Sequence, residues 1–288
     1  MSHEPDIVAR INGLYSHLRD AEQKIARLIL SDINFSAQAS ISELAQKAGV
    51  SEATVTRFAR AVDCKNVRHL KLCLAQAQAV GERFYTEIKP ELDGIHSVYD
   101  DIKSTLDYNA RLVTEAVTKP AVKELGKARQ VLIFGVGGGS TVMAQECQHR
   151  FFRLGLAATA YSDPMLMRMA ASTISSNDVV LCLSLGGYSP DVEESAAIAK
   201  EYGATLLGIT VADSPLGKTV DHLIPIEPIE TDYIFKPSAA RYVMLAAIDV
   251  LSTELAVSRK RKSREALRRL KHTLDKHKHG RDRLPLGD

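Results

Sequence analysis

Ser40-Ile41-Ser42-Glu43-Leu44-Ala45-Gln46-Lys47-Ala48-Gly49-Val50-Ser51-Glu52-Ala53-Thr54-Val55-Thr56-Arg57-Phe58-Ala59-Arg60 reads as two short amphipathic helices hinged at one glycine. Ile41, Leu44, Ala45 and Ala48 recur at i, i+3, i+4 and i+7, and Ser40 and Glu43 have the spacing of a capping box. Gly49 supplies the positive φ of a sharp turn. Ser51 is placed to cap the second helix, in which Val55, Phe58, Ala59 and Val62 repeat the apolar spacing. The opposite face carries Glu52, Thr54, Thr56, Arg57 and Arg60. Hydroxyls and guanidinium groups near the front of such a helix suit base edges and phosphates in a major groove. The expectation is a helix-turn-helix that docks on double-stranded DNA through Ser51, Glu52, Thr54, Thr56, Arg57 and Arg60; the alternative is an ordinary αα-hairpin with a solvated polar face. Lys65, Arg68, His69 and Lys71 follow. They place charge where a neighbouring phosphate strand would run, with Lys65 and Arg68 the candidate contacts, or they merely solubilise the surface.

A chain of 288 residues exceeds one typical domain and invites two. A hydrophobic content of 45% with 25% charged residues is ordinary for a soluble globular chain. No apolar run approaches the roughly 18 residues of a membrane span, and Met1-Ser2-His3-Glu4-Pro5-Asp6 lacks the basic and apolar regions of a signal peptide. A cytoplasmic protein without a membrane partner is expected. Cys64, Cys73, Cys147 and Cys182 are scattered, form no C-x-x-C pair and sit in apolar patterns, so they read as reduced thiols in or near cores, not as disulfides or metal ligands. His272, His277 and His279 cluster in a basic tail without cysteine or carboxylate companions at ligand spacing, and no metal site is expected there.

The net charge of +2 hides an asymmetry. Residues 259–283 hold twelve Lys and Arg against Glu265, Asp275 and Asp282, a net of +9, which leaves the remainder of the chain at −7. Leu267, Leu270 and Leu274 recur within this stretch at helical spacing, so it reads as a basic helix with one apolar stripe. Two roles are open: packing with the basic face turned toward DNA, or a solvated helix serving solubility or dimer packing.

Apolar residues on helical periods over 6–18 and 21–31 make the first 80 residues all-helical, with Asn34, Phe35 and the small polar residues after them forming a loop. A helix around Leu70, Leu72 and Leu74 closes the bundle, and 81–95, broken by Pro90 and Gly94, reads as a linker. Two helices near 96–117 and 120–127 precede a change of texture. Apolar strands at 130–134, 157–161, 179–184, 205–209 and 222–226 then alternate with helices near 140–153, 165–173, 191–202, 215–220 and 238–257. The fold class is therefore α plus α/β: an all-helical DNA-binding domain over 1–80, a doubly wound parallel sheet domain over 96–258, and a basic C-terminal helix and tail over 259–288.

In such sheets ligands sit at the carboxyl ends of the strands. Two strand-to-helix turns draw attention there. Phe134-Gly135-Val136-Gly137-Gly138-Gly139-Ser140 leaves backbone N–H groups open to an anion, and Ser184-Leu185-Gly186-Gly187-Tyr188-Ser189-Pro190 repeats the theme. Together they can grip a phosphate and sugar hydroxyls, with Gly137, Gly138, Ser140, Ser184, Gly187 and Ser189 as candidates; the alternative is that the serines cap turns and the glycines serve packing. A Walker A loop is excluded because no lysine precedes Ser140-Thr141. A dinucleotide fingerprint wants glycine or alanine where Ser140 stands, although Asp163 is suitably placed for a ribose hydroxyl. No cofactor is expected.

With these parts assembled, the chain resembles the RpiR family of bacterial transcription regulators, which join an N-terminal helix-turn-helix to a sugar isomerase (SIS) domain. The resemblance rests on Ala21-Glu22-Gln23-Lys24-Ile25-Ala26, on Val50-Ser51-Glu52-Ala53-Thr54-Val55-Thr56-Arg57-Phe58 and on the two glycine-serine turns. Arg150-Phe151-Phe152-Arg153, Glu230-Thr231-Asp232, Ile248-Asp249-Val250-Leu251 and the basic C-terminal helix look most like the HexR group, which governs sugar-acid and central carbon metabolism. The resemblance implies a dimer or tetramer whose SIS domain senses a phosphosugar or phosphorylated sugar acid, with Ser140, Ser184 and Ser189 on ligand-holding positions, Glu230 on a common polar contact, and Ser51, Thr54, Thr56 and Arg57 on the DNA-reading helix. Departures stand out. The first turn has an extra glycine, Gly186 replaces a usual Ser or Thr, and Tyr188 stands where HexR-like members tend to carry arginine, so the effector is expected to differ from that of close relatives.

The mechanism these features imply is a repressor with two reading heads on a palindromic operator, the sensor sheet setting their spacing. The rival from another class is a phosphosugar isomerase, with Glu227, Glu230 or His149 as general base.

Overall fold

The computed structural model describes residues 6–78, 95–230 and 237–277. They fall into two compact units, the first holding residues 6–78 and the second the rest. The expected linker over 81–95 lies, apart from Ile95, outside the described residues, as does the tail beyond His277.

The first unit is a helical bundle: α1 (Ile7–Leu14) with a short 3-10 turn after it, α2 (Asp20–Ser31), α3 (Ile33–Gln38), α4 (Ile41–Ala48), α5 (Glu52–Ala61) and α6 (Val67–Gln78). Its core gathers one apolar stripe from each of the longer helices: Ile7 and Ile11, Ile25 and Ile29, Leu44, Val55 and Phe58, Leu70 and Leu74. Two sequence expectations are corrected here. The stretch from Asn34 is a helix, because Asp32 caps it, accepting from the Phe35 N–H at 2.9 Å, and because Ile33 and Ser36 are buried. Asp32 also pairs with Lys47 at 3.2 Å, whose ammonium stands 3.7 Å over the Phe35 ring. Leu72 does not close the bundle. It lies on the opposite face of α6 from Leu70 and Leu74 and is 58% exposed.

The second unit begins with α7 (His96–Ala110) and α8 (Glu115–Lys127), then alternates β1 (Val131–Phe134), α9 (Gly138–Arg153), β2 (Ala158–Tyr161), α10 (Pro164–Ala171), β3 (Val179–Leu183), α11 (Pro190–Glu201), β4 (Thr205–Thr210), α12 (Pro215–Thr219) and β5 (His222–Pro225), ending in α13 (Ala240–Ser258) and α14 (Lys260–His277). The break expected between 117 and 120 is displaced: α7 ends at Ala110, and α8 runs through Pro120. The five strands are parallel in the order β2-β1-β3-β4-β5. Strands apolar at every position still alternate: Val131, Ile133, Val179, Leu181 and Leu183 join the core with α8, α9 and α13, while Leu132, Phe134, Val180 and Cys182 join the one with α10 and α11. The sheet is thus covered on both faces.

Two buried polar knots fasten the unit. Asp178, fully buried just before β3, accepts from Arg129 at 2.9 and 2.6 Å and from the Ser175 N–H and hydroxyl at 2.8 and 3.1 Å. Asn109 of α7 clamps the chain after β5, donating to the Glu227 carbonyl at 2.9 Å and accepting from its N–H at 2.7 Å. α14 packs on α13 and α9 through Ser263 and the partly buried Leu267, whereas Leu274 is 39% exposed. Among the described residues no helix is long and apolar enough to cross a membrane.

Candidate functional site

The helix-turn-helix is built by local chemistry. Ser40 and Glu43 form a reciprocal capping box, the Ser40 N–H donating to Glu43 at 2.7 Å and the Glu43 N–H to the Ser40 hydroxyl at 3.2 Å. α4 stops at Gly49, whose φ is 66°, and the Val50 N–H returns to the Ala45 carbonyl at 2.9 Å, the bond of a Schellman stop. Ser51 caps α5 through the Thr54 N–H at 3.3 Å.

α5 then turns Val55, Phe58 and Ala59 into the core and leaves Glu52, Arg57 and Arg60 exposed with Thr56 half-buried, on one contiguous face. Thr54 departs from the sequence expectation. It is buried, its hydroxyl 2.9 Å from that of Ser51, and it accepts from Arg57 Nη2 at 3.2 Å. It therefore sets the Arg57 guanidinium and does not face outward itself. Lys65 and Arg68 are exposed in the following turn and at the start of α6.

In the second unit the strand order changes its direction of progression between β1 and β3, where the crevice of an open parallel sheet lies. Phe134 and Cys182 are in register, so both glycine turns leave the carboxyl end of the sheet side by side. The contact is direct: a Cβ on Gly139 would stand 3.0 Å from Leu185 Cδ1. Gly137, at φ 90°, opens α9 with no side-chain cap and no acid in its first turn, so the leading N–H groups offer a seat for an anion. Ser140 is buried in that first turn. Ser184 is buried too, and its hydroxyl accepts from the Gly187 N–H at 3.0 Å. Ser189 opens α11, its N–H donating to Glu193 at 2.9 Å.

Gly187 has a packing duty as well. Its φ is 73°, and a Cβ there would fall 2.0 Å from Ser214 Oγ in the turn before α12. Glu230 stands apart: it follows β5 at the sheet's far edge, and its carboxylate accepts from the Ser238 hydroxyl at 2.6 Å. No described contact joins it to the two turns. Sequence reasoning missed Arg168, which reaches from α10 to Asp191 at 2.8 Å and to Glu194, tying down the start of α11; only proximity in space reveals that role. Grooves of about 680 and 410 Å³ open along α13 and α14 and share no lining residue with the turns. The four cysteines are free thiols, Cys64, Cys147 and Cys182 buried and Cys73 partly so. Burial pushes the Cys64 thiol up to about 11 and the Cys182 thiol up to about 12.

Comparison with known proteins agrees with both halves of this architecture. Residues 6–81 match the helix-turn-helix domain of the rpiR family, and residues 124–254 match the SIS domain. The HTH-type transcriptional regulator HexR of Pseudomonas aeruginosa is 35% identical over 273 residues, covering 93% of this chain and 95% of that protein. The HexR regulator of Escherichia coli is 30% identical over 287 residues, 98% and 99% of the two chains. Among solved structures, the Vibrio vulnificus NanR protein complexed with ManNAc-6P superposes with a TM-score of 0.59 at 20% identity, covering 93% of this chain and 97% of that one, which speaks to the fold. A DNA-binding helix-turn-helix followed by a SIS domain, matched nearly end to end by two HexR regulators, makes this chain a member of the RpiR family of transcriptional regulators.

Proposed function

We propose that this regulator is a cytoplasmic homo-oligomeric repressor of genes for sugar or central carbon metabolism, and that its effector is a phosphosugar or phosphorylated sugar acid held at the two glycine turns. The observation that carries the ligand class is the pairing, at the carboxyl end of the sheet, of an uncapped, acid-free α9 N-terminus with a second turn bearing Ser184 and Ser189. The phosphate belongs on the N–H groups of Gly138, Gly139 and Ser140. The start of α11 is a poorer seat, because Asp191 and Glu193 occupy its first turn and Glu193 already takes the Ser189 N–H. Ser184 and Ser189 are then left for sugar hydroxyls. The phosphosugar in the NanR complex supports this ligand class.

On this reading Arg57, Arg60 and Thr56 read the operator, Ser51 and Glu52 flank them, and Lys65 and Arg68 hold phosphates. The effector acts by binding one arrangement of subunits better than another. The SIS unit is read as a sensor without catalysis. Of the three candidate bases, His149 stands 3.9 Å from Glu146, Glu230 holds Ser238 and Glu227 is clamped through its backbone by Asn109, and no described contact ties any of them to the turns.

Titration of the protein into fluorescent DNA from upstream of its own gene, against a scrambled duplex and with a panel of phosphosugars, tests the proposal. Sequence-preferring binding shifted by one phosphosugar is the expected result. Equal, salt-sensitive binding to both duplexes, indifferent to every sugar, would overturn it, and turnover of an aldose or ketose phosphate would replace the sensor with an isomerase.

A further inference from the structure

Three donors that the chain separates meet behind the reading helix. Cys64 lies in the turn after α5, and His69 and Cys73 lie one helical turn apart on α6, spaced to share a face. One ligating atom from each lies within 4.8 Å of the others. The turn is well determined. Asp63 takes a φ of 59°, the one positive value among the described residues other than glycine, and the Cys64 N–H bonds the Ala59 carbonyl at 2.8 Å, which turns the sulfur inward. Asn66 caps α6 by accepting from the His69 N–H at 2.8 Å.

We propose that Cys64, His69 and Cys73 form a binding site for a borderline transition-metal ion, with Zn2+ the natural occupant of two thiolates and an imidazole. Around a tetrahedral Zn2+, with Zn–S near 2.3 Å and Zn–N near 2.0 Å, neighbouring donors stand roughly 3.5–3.8 Å apart. His69 Nε2 is already 3.7 Å from Cys73 Sγ, so closing the site requires a contraction of about 1 Å at most. The imidazole is held by its other nitrogen, Nδ1 accepting from the Lys65 N–H at 3.1 Å. Metal at Nε2 moves the ring proton to Nδ1, where it would face the Lys65 N–H donor, so binding breaks that bond and the ring shifts away from the Lys65 backbone as the site closes. Binding also displaces the two thiol protons.

Arg10 of α1 supplies an outer contact, donating to Cys73 Sγ at 3.6 Å and to the Asp63 carbonyl at 3.4 Å. A cation beside a neutral Zn(Cys)2(His) unit is tolerable, and its N–H bond to sulfur is the kind of support that steadies ligating thiolates. His69 and Cys73 are only half-buried, which leaves a path for the ion and a fourth position for water. Occupied, the site staples α1, the end of α5 and the start of α6, the frame from which Arg57 and Arg60 project.

The test is Co2+ titration of the reduced full-length protein, followed by absorption and by competition with Zn2+. The expected result is one Co2+ per chain with thiolate-to-cobalt charge transfer in the near ultraviolet, displaced by Zn2+. Cys73→Ser abolishes that band, as does Cys64→Ser. His69→Gln weakens Co2+ by about tenfold or more, at least what loss of an outer contact costs. Cys64 is buried, and a lost band in its variant would not separate misfolding from a lost ligand, so the half-exposed Cys73 decides. A Co2+ spectrum without thiolate charge transfer, which histidines of the tail alone would give, overturns the proposal. So does a band that survives Cys73→Ser, or a Cys64–Cys73 disulfide formed by a protein whose reduced form takes no Co2+.

Discussion

Replacing Gly187 with alanine isolates the packing on which the second glycine turn depends. The new Cβ would meet Ser214 Oγ at 2.0 Å, Ser214 Cβ at 2.1 Å and Thr210 Oγ1 at 2.9 Å, from a backbone at φ 73°. The left-handed conformation costs an L residue about 1–2 kcal/mol, and forcing neighbours aside in a packed site adds about 1–3 kcal/mol. Ser214 does not yield freely: its hydroxyl donates to the Val211 carbonyl at 2.6 Å and accepts from the Gly217 N–H at 3.0 Å. The expected loss is therefore about 2–5 kcal/mol of folding free energy. Urea unfolding followed by circular dichroism should show a lower midpoint at an unchanged slope, and the folded variant should hold its operator while losing the phosphosugar response. Adding Ser214→Gly removes the two nearest clashing atoms, leaves Thr210 Oγ1 and the φ penalty in place, and costs only a few tenths of a kcal/mol at the α12 cap. The double variant should then be more stable than Gly187→Ala by about 1 kcal/mol or more, a coupling expected only of residues in contact. A single variant within about 0.5 kcal/mol of the parent, or a double variant that merely sums the two changes, would refute the steric argument.

Arg57→Ala should weaken operator binding roughly tenfold to a hundredfold, as loss of a base contact does, while phosphosugar binding is unchanged; equal loss on a scrambled duplex would assign Arg57 to phosphate. Thr54→Val, which frees Arg57 from its 3.2 Å partner, should cost less than Arg57→Ala in the same titration, and a larger loss would mean that Thr54 itself meets DNA. Asn109→Ala strands the Glu227 N–H and carbonyl and should destabilise the second unit by about 1–3 kcal/mol in denaturant. Burial pushes the Asp178 carboxyl up, but Arg129 and Ser175 outweigh it and hold it below its usual 3.8. A depressed folded value stabilises above that range, and the contribution is lost as pH falls through it. Thermal melting should accordingly show Asp178→Asn less stable at neutral pH and less acid-sensitive below about pH 4 than the parent; parallel curves would remove Asp178 from the acid transition.

Features that are local and periodic can be read along the chain. Ser40, Glu43, Gly49 and Ser51 announce the ends of α4 and α5 because capping depends on residues three or four apart, and the apolar runs announce all five strands to within a residue at either end. Such signals fail where a distant neighbour overrides them. The stretch from Asn34 is helical because Ile33 and Ser36 find burial there, Thr54 turns inward beneath Arg57, and Leu72 keeps a hydrophobic side chain in solvent. Strand order was not legible either, since connections of similar length allow several arrangements of a parallel sheet. The adjacency of β1 and β3 in the order β2-β1-β3-β4-β5 sets the two glycine turns side by side, and only folding brings Gly187 against Ser214 and Cys64 to His69 and Cys73. Contacts between residues far apart along the chain carry no periodic signature; they are chosen by how whole faces pack, and that choice belongs to the tertiary structure.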